Sequence, residues 1–285
     1  MAGLVEALKN SPLVIGMYER MLNIRCRTVE AYIFVATTGR SGTDSLRKIF
    51  EAADNAVTTH EPYPMMLSDY PDPATKREYF DRLFHRRKTI NIKRAAAGHR
   101  YYIETNHQFV KNFFEPSVAY FGDKLRVIHV YRDPVRVASS FYAMDSIPGK
   151  EGTGREYLLD PTEEDNLIQA NDLFTEGPSF SHELYRCIWY WYEIEARVKK
   201  YKAEHPEIKW SAIATEELND KTALVRMFNQ LDVGFSMETL DRMVGARVNK
   251  KESFKKQKID LSSAEEMHAR LLEKLEARYG KGFWR

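Results

Sequence analysis

Short apolar, β-branched runs alternate along this chain with longer stretches in which apolar positions recur at helical spacing. Four runs read as buried parallel strands: Tyr32–Thr37, Tyr101–Thr105, Val127–Tyr131 and Trp210–Ala214. Each is followed by a helical pattern, as in a parallel sheet covered by helices. Helices are predicted over Ser45–Ala53, Thr75–Arg87, Val135–Ala143, His182–Glu204, Lys221–Leu231 and Ser263–Arg278. The one from His182 is the strongest, with Leu184, Ile188, Trp191, Ile194 and Val198 near one face, and its aromatics read as core. The pattern predicts an α/β fold: a single domain with a central parallel sheet flanked by helices.

Two regions depart from this rhythm. Positions 145–180 are rich in Gly, Pro, Asp, Glu and Ser with little periodicity, which predicts an irregular insert or lid. The first thirty residues read as an N-terminal helical extension packed against the body. Glu6, Lys9, Glu19 and Arg20 interrupt its apolar positions, so it resembles neither an export signal nor a membrane span. Interfacial membrane contact is the lesser reading there, because few cations line the segment.

Composition narrows the partners. With 285 residues, 43% hydrophobic and 12% aromatic, the chain can bury a substantial core. A formal charge of +2 is too small for a general nucleic-acid or membrane binder, so any basic site is local. The two cysteines, Cys26 and Cys187, have no metal-type spacing and read as buried thiols of a reducing, cytoplasmic setting.

The candidate chemistry begins at Tyr32–Leu46, Tyr-Ile-Phe-Val-Ala-Thr-Thr-Gly-Arg-Ser-Gly-Thr-Asp-Ser-Leu. A strand, a Gly-punctuated turn and a helix start aim backbone N–H groups at one spot, a P-loop-like nucleotide cradle. It is not a Walker A loop: Gly42 is followed by Thr43, and the loop cation, Arg40, precedes it. A second signature spans Val127–Tyr142, where Arg132 ends a strand and Asp133-Pro134 opens a helix carrying Ser139 and Ser140. Both loops lie at the carboxyl edge of the sheet, where open α/β sheets bind ligands.

Together, an Arg-Ser-Gly-Thr loop and an Arg-Asp-Pro turn with a serine eight residues beyond its arginine resemble the sulfotransferase family. The likeness runs from residue 31 to about 258 and includes Thr215-Glu216-Glu217-Leu218 and the basic segment after it. It implies 3′-phosphoadenosine 5′-phosphosulfate (PAPS) as donor, adenosine 3′,5′-bisphosphate (PAP) as product, and no required metal. It places Arg40, Ser41, Gly42, Thr43, Asp44 and Ser45 around the phosphosulfate, and Arg132 and Ser140 on the 3′-phosphate. Lys250 and Lys251 fall in the late basic segment that closes over the nucleotide in many members.

This chain departs from the family at Arg40, where lysine is common, and at Ser45, where the cytosolic branch has a tryptophan. Asp44 is an acid beside an anion site, acceptable only if its side chain turns away or caps the helix. Arg40 is the leaving-group cation. Glu61, in Thr59-His60-Glu61-Pro62, is the preferred general base, as in carbohydrate sulfotransferases. His107 and His60 are the supporting catalytic candidates, and Lys93 or Arg94 could supply a second cation. The acceptor implied is a hydroxyl of a sugar, lipid or other small molecule, with a carbohydrate or glycolipid preferred. A P-loop small-molecule kinase and a non-catalytic PAPS- or PAP-binding protein stay open as alternatives.

Overall fold

A computed structural model describes residues 12–68, 70–170, 181–245 and 259–284. In chain order they form α1 (Pro12–Arg25), β1 (Ala31–Ala36), α2 (Thr43–Ile49), β2 (Ala56–His60), α3 (Lys76–Leu83) and α4 (Thr89–Ala96). These lead into β3 (Tyr101–Thr105), α5 (Phe114–Phe121), β4 (Leu125–Tyr131), α6 (Pro134–Ala143) and α7 (Thr153–Tyr157). The chain then runs through α8 (Leu184–Glu204), β5 (Lys209–Ala214), α9 (Lys221–Gln230), α10 (Met237–Gly245) and α11 (Leu261–Tyr279). No helix among the described residues is long and apolar enough to cross a membrane.

The five strands make one all-parallel sheet in the order β2-β3-β1-β4-β5. β1, Ala-Tyr-Ile-Phe-Val-Ala, is buried at every position, as a central strand covered on both faces must be. Its alternate residues feed two cores. Phe34, Tyr102 and Val127 point toward α6, α8 and α11, while Ile33, Val35, Ile103 and Ile128 meet α2 and α9. β2, Ala-Val-Thr-Thr-His, was not among the predicted strands. It is a half-exposed edge strand, too short and polar to stand out as an apolar run.

Helix continuity also differs from the sequence reading. The helix expected over Thr75–Arg87 does not stop there. A wide helical turn over Phe84–Lys88 carries it from α3 into α4. A second wide turn, Phe109–Phe113, introduces α5, and every residue in it is buried. The Phe109 ring stacks on Phe34 at a 4.8 Å centroid distance, so tertiary packing dictates this turn.

α8 lies at the centre of the molecule. Its residues Tyr185 and Cys187 through Val198 are all buried. Trp189 Nε1 donates to the Ile168 carbonyl at 2.9 Å, and Trp191 Nε1 to that of Arg132 at 2.9 Å. Glu193 receives the backbone N–H groups of Leu167 and Ile168 and the Arg197 guanidinium. Through these bonds the described part of the 145–180 region is tied down, with Ile147, Leu158, Leu159 and Ile168 each no more than 1% exposed. Both cysteines are buried free thiols.

Candidate active site

The loop after β1 is shaped by backbone demand. Gly39 and Gly42 have φ of 83° and 79°, and Arg40 between them has 57°, a left-handed conformation uncommon for a residue with a side chain. A Cβ on Gly42 would stand 2.9 Å from Leu218 Cδ1, so this position needs glycine for space as well as for φ. Ser41 is fully buried and its Oγ donates to the Gly39 carbonyl at 3.0 Å, so its hydroxyl shapes the turn from within. Tyr190, from α8, donates to the Thr38 carbonyl at 3.1 Å, and Thr215 donates to the Ser41 carbonyl at 2.9 Å.

Gly42 then begins α2 without a side-chain cap, leaving the N–H groups of Thr43, Asp44 and Ser45 at a helix N-terminus. The Asp44 carboxylate lies 3.5 Å from His60 Nε2 at the end of β2. The acid that looked awkward beside an anion thus faces the neighbouring strand end.

The second signature meets this loop. Asp133 caps α6 by accepting from the Arg136 N–H at 2.9 Å, with Pro134 in the first turn. Arg132 Nη1 donates to the Arg40 carbonyl at 3.1 Å, and Arg40 Nε donates to Ser140 Oγ at 3.1 Å. Two motifs about a hundred positions apart therefore interlock at the crevice between β1 and β4. The helix after β1 covers one face of the sheet and the helix after β4 the other, which makes this crevice the topological switch point.

Desolvation and the like charge of Arg132 press the ionisation of Arg40 downward, against the pull of Asp44. An arginine there stays charged, so the pair forms a cationic crevice wanting a counter-ion. One donor in it, Arg132 Nε, is buried with no hydrogen-bond partner among the described residues. The nearest acid, Glu216, stops 3.9 Å from Arg132 Nε. An orphaned guanidinium N–H with a second guanidinium beside it fits an oxyanion such as a phosphate.

The two favoured base candidates prove to be partners. Glu61 also has a left-handed backbone, with φ of 45°, which turns its side chain back over the sheet edge. Its Oε1 lies 2.7 Å from His107 Nδ1. The other imidazole nitrogen, Nε2, lies 3.2 Å from the Gln108 amide nitrogen, which can only donate. His107 is therefore the neutral Nδ1–H tautomer and donates a hydrogen bond to the Glu61 carboxylate.

Burial, then the neighbouring Lys111 charge, holds His107 below the ordinary histidine range despite Glu61. Burial would raise the Glu61 carboxyl, but the His107 hydrogen bond and nearby positive groups outweigh it and set it below the usual glutamate value. The ring also packs on the first loop: a Cβ on Gly39 would meet His107 Cγ at 3.4 Å. His60 points sideways, with Nδ1 donating to the Thr105 carbonyl at 3.0 Å.

A buried ion pair braces the Glu61 turn. Lys88 and Glu104 meet at 2.6 Å with both side chains fully buried. Lys88 also donates to the carbonyls of Pro62 and Pro64, and Glu104 accepts from Tyr102 and Asn106. Asn106 reaches the Met65 carbonyl at 3.2 Å. The segment after Glu61 is thus stitched to the end of β3.

Several site groups were not anticipated from sequence. Lys111, in the buried turn Phe-Val-Lys-Asn-Phe, donates to the Tyr157 carbonyl and to Tyr190 OH, and burial holds its ammonium well below the lysine range. A charged residue inside an aromatic run was the one available signal. Of the expected second cations, Lys93 instead binds Asn23 of α1 at 2.6 Å and lies over the Tyr120 ring. Lys250 and Lys251 lie outside the described residues. A cavity of 1370 Å³ opens beyond Lys111, lined by Ser68, Tyr70, Asn112, Glu163 and Arg197 among others.

No family model matches the sequence. No curated protein matches it either. Among solved structures, the chain is similar to a sulfotransferase domain from the curacin biosynthetic pathway, with 16% identity and a TM-score of 0.44 over 87% of this chain and 98% of that one. It is similar to a sulfotransferase from Alicyclobacillus acidocaldarius, with 15% identity and a TM-score of 0.46 over 87% and 94%. A mouse sulfotransferase complexed with PAP is similar at 14% identity and a TM-score of 0.44 over 89% and 86%.

Proposed function

We propose that the chain transfers a sulfuryl group from PAPS to an acceptor hydroxyl, with a carbohydrate or glycolipid hydroxyl the preferred class. The observation that carries this reading is the interlock of Arg40 with Ser140 and of Arg132 with the Arg40 carbonyl. It puts two cations, a helix N-terminus and an orphaned guanidinium N–H around one crevice.

Arg132, with Ser140 from α6, would hold the 3′-phosphate. Arg40 and the N–H groups of residues 41–45 would hold the phosphosulfate. PAPS supplies a sulfuryl group on a good leaving phosphate. Glu61, ionised at neutral pH, takes the acceptor's proton as the acceptor oxygen bonds to sulfur and the sulfur–phosphate oxygen bond breaks. Arg40 stabilises the charge that develops on that departing oxygen. His107 holds the Glu61 carboxylate in place, because both its ring nitrogens are already engaged.

The preference for a sugar rests on the kind of base. An aliphatic hydroxyl, less acidic than a phenol, needs the carboxylate base.

Titration calorimetry with PAP tests the donor assignment, with ATP·Mg²⁺ as the comparison. PAP binding with transfer from PAPS to a sugar acceptor is the expected result. ATP bound in preference to PAP would give the site to a kinase, and PAP binding without transfer to any acceptor would leave a non-catalytic binder.

A further inference from the structure

α1 carries apolar side chains on two sides. Leu22 packs inward, 1% exposed, and Cys26 just beyond the helix is 7% exposed. On the outer side Val14, Met17, Met21 and Ile24 are 41%, 72%, 42% and 59% exposed. These are four of the nine large apolar side chains exposed among the described residues. At about 100° per residue they fall within an arc of about 80°. Exposed Arg20 flanks that arc on one side and exposed Arg25 on the other, while Glu19 lies diametrically opposite.

We propose that this face of α1 docks on an anionic lipid surface. An apolar stripe edged by arginines lets the four side chains enter the acyl boundary while both guanidiniums reach phosphate headgroups. The spacing of 3, 4 and 3 also matches the core positions of a coiled coil, so a second copy of the chain is the rival occupant. Charge decides against it. In that register Arg20 and Arg25 occupy the two flanking positions, where they would face each other's copies with like charge and no acid between. Two heptads are also short of the three or so that such pairing needs. An anionic bilayer turns the same two arginines into attractive contacts.

Vesicle flotation of the full chain tests this, using phosphatidylcholine vesicles with or without phosphatidylglycerol. Wild type should float with the anionic vesicles only, and about 0.5 M salt should release much of it. The pair Arg20→Gln and Arg25→Gln should lower partitioning about 30-fold. The pair Met17→Gln and Ile24→Gln should abolish it with an unchanged melting temperature. Failure of wild type to float, equal binding to neutral vesicles, or flotation insensitive to both pairs would overturn the proposal. So would a dimer in light scattering that becomes a monomer in Met17→Gln/Ile24→Gln, which assigns the stripe to a second copy. Should the apolar pair fail to fold, the arginine pair and the salt series still decide.

Discussion

His107 donates its Nδ1–H to Glu61 Oε1 in a 2.7 Å hydrogen bond, while Gln108 occupies the opposite ring nitrogen. One residue is left free to receive a proton, and the other fixes where it waits. Glu61→Gln should lower kcat about 10²–10⁴-fold with PAP affinity unchanged. His107→Phe, which keeps the ring and removes the hydrogen bond, should cost less. Steady-state kinetics beside PAP calorimetry checks both, and near-normal turnover of Glu61→Gln would move the base elsewhere.

The same bond fixes a pH dependence. Glu61 sits below the ordinary glutamate value, so its base form persists through the neutral range and is lost only as pH falls through that depressed value. Any stability it contributes follows the same course, present above the unfolded glutamate pKa and lost in acid. In His107→Phe the burial remains and the hydrogen bond does not. The acid limb of the kcat profile should therefore move to higher pH, and an unmoved limb would show that His107 does not tune Glu61.

Arg132 should discriminate nucleotides by one phosphate. Removing a charge-assisted contact costs about 1.5–3 kcal/mol, so Arg132→Ala should weaken PAP about 10–150-fold. Binding of AMP, which has no 3′-phosphate, should change little. Equal losses for both nucleotides would place Arg132 elsewhere on the ligand.

Gly42 is constrained twice, by its φ of 79° and by Leu218 Cδ1, which would stand 2.9 Å from any Cβ added there. Gly42→Ala should cost about 1–3 kcal/mol in chemical denaturation and weaken PAP binding. Trimming the neighbour in Gly42→Ala/Leu218→Ala should relieve only the steric part, because the backbone conformation remains unfavourable.

The Lys88–Glu104 pair is fully buried, so Lys88→Met should destabilise by about 3–5 kcal/mol through the carboxylate left without its cation. Adding Glu104→Gln should restore part of that loss. A single substitution no costlier than a surface change would mean that Glu104 is protonated or that water reaches it.

The sheet was largely legible because β1, β3 and β4 are apolar runs buried on both faces, and the edge strand β5 still carries Trp210, Ala212 and Ile213. β2 was not, since an edge strand of Thr and His satisfies no apolar criterion. The wide turns at Phe84–Lys88 and Phe109–Phe113 were hidden for another reason: tertiary contacts such as Phe34 on Phe109 select them over a regular helix. Within the site, Arg40 and Arg132 could be read from spacing, as they follow strands directly. Their interlock depends on the register between β1 and β4, and the Glu61–His107 bond on that between β2 and β3, which linear order does not display.

Arg40 and Glu61, the proposed leaving-group cation and base, both hold left-handed backbones at φ of 57° and 45°. Glycine would be more comfortable at either position, and each strained residue costs about 1–3 kcal/mol that the surrounding fold must offset. A laboratory selection for heat resistance alone would therefore favour Arg40→Gly and would recover hardy proteins without turnover, whereas Glu61→Gly would trade its strain for a buried His107 N–H without an acceptor. Selection on activity would have to find its stabilising changes away from these two turns.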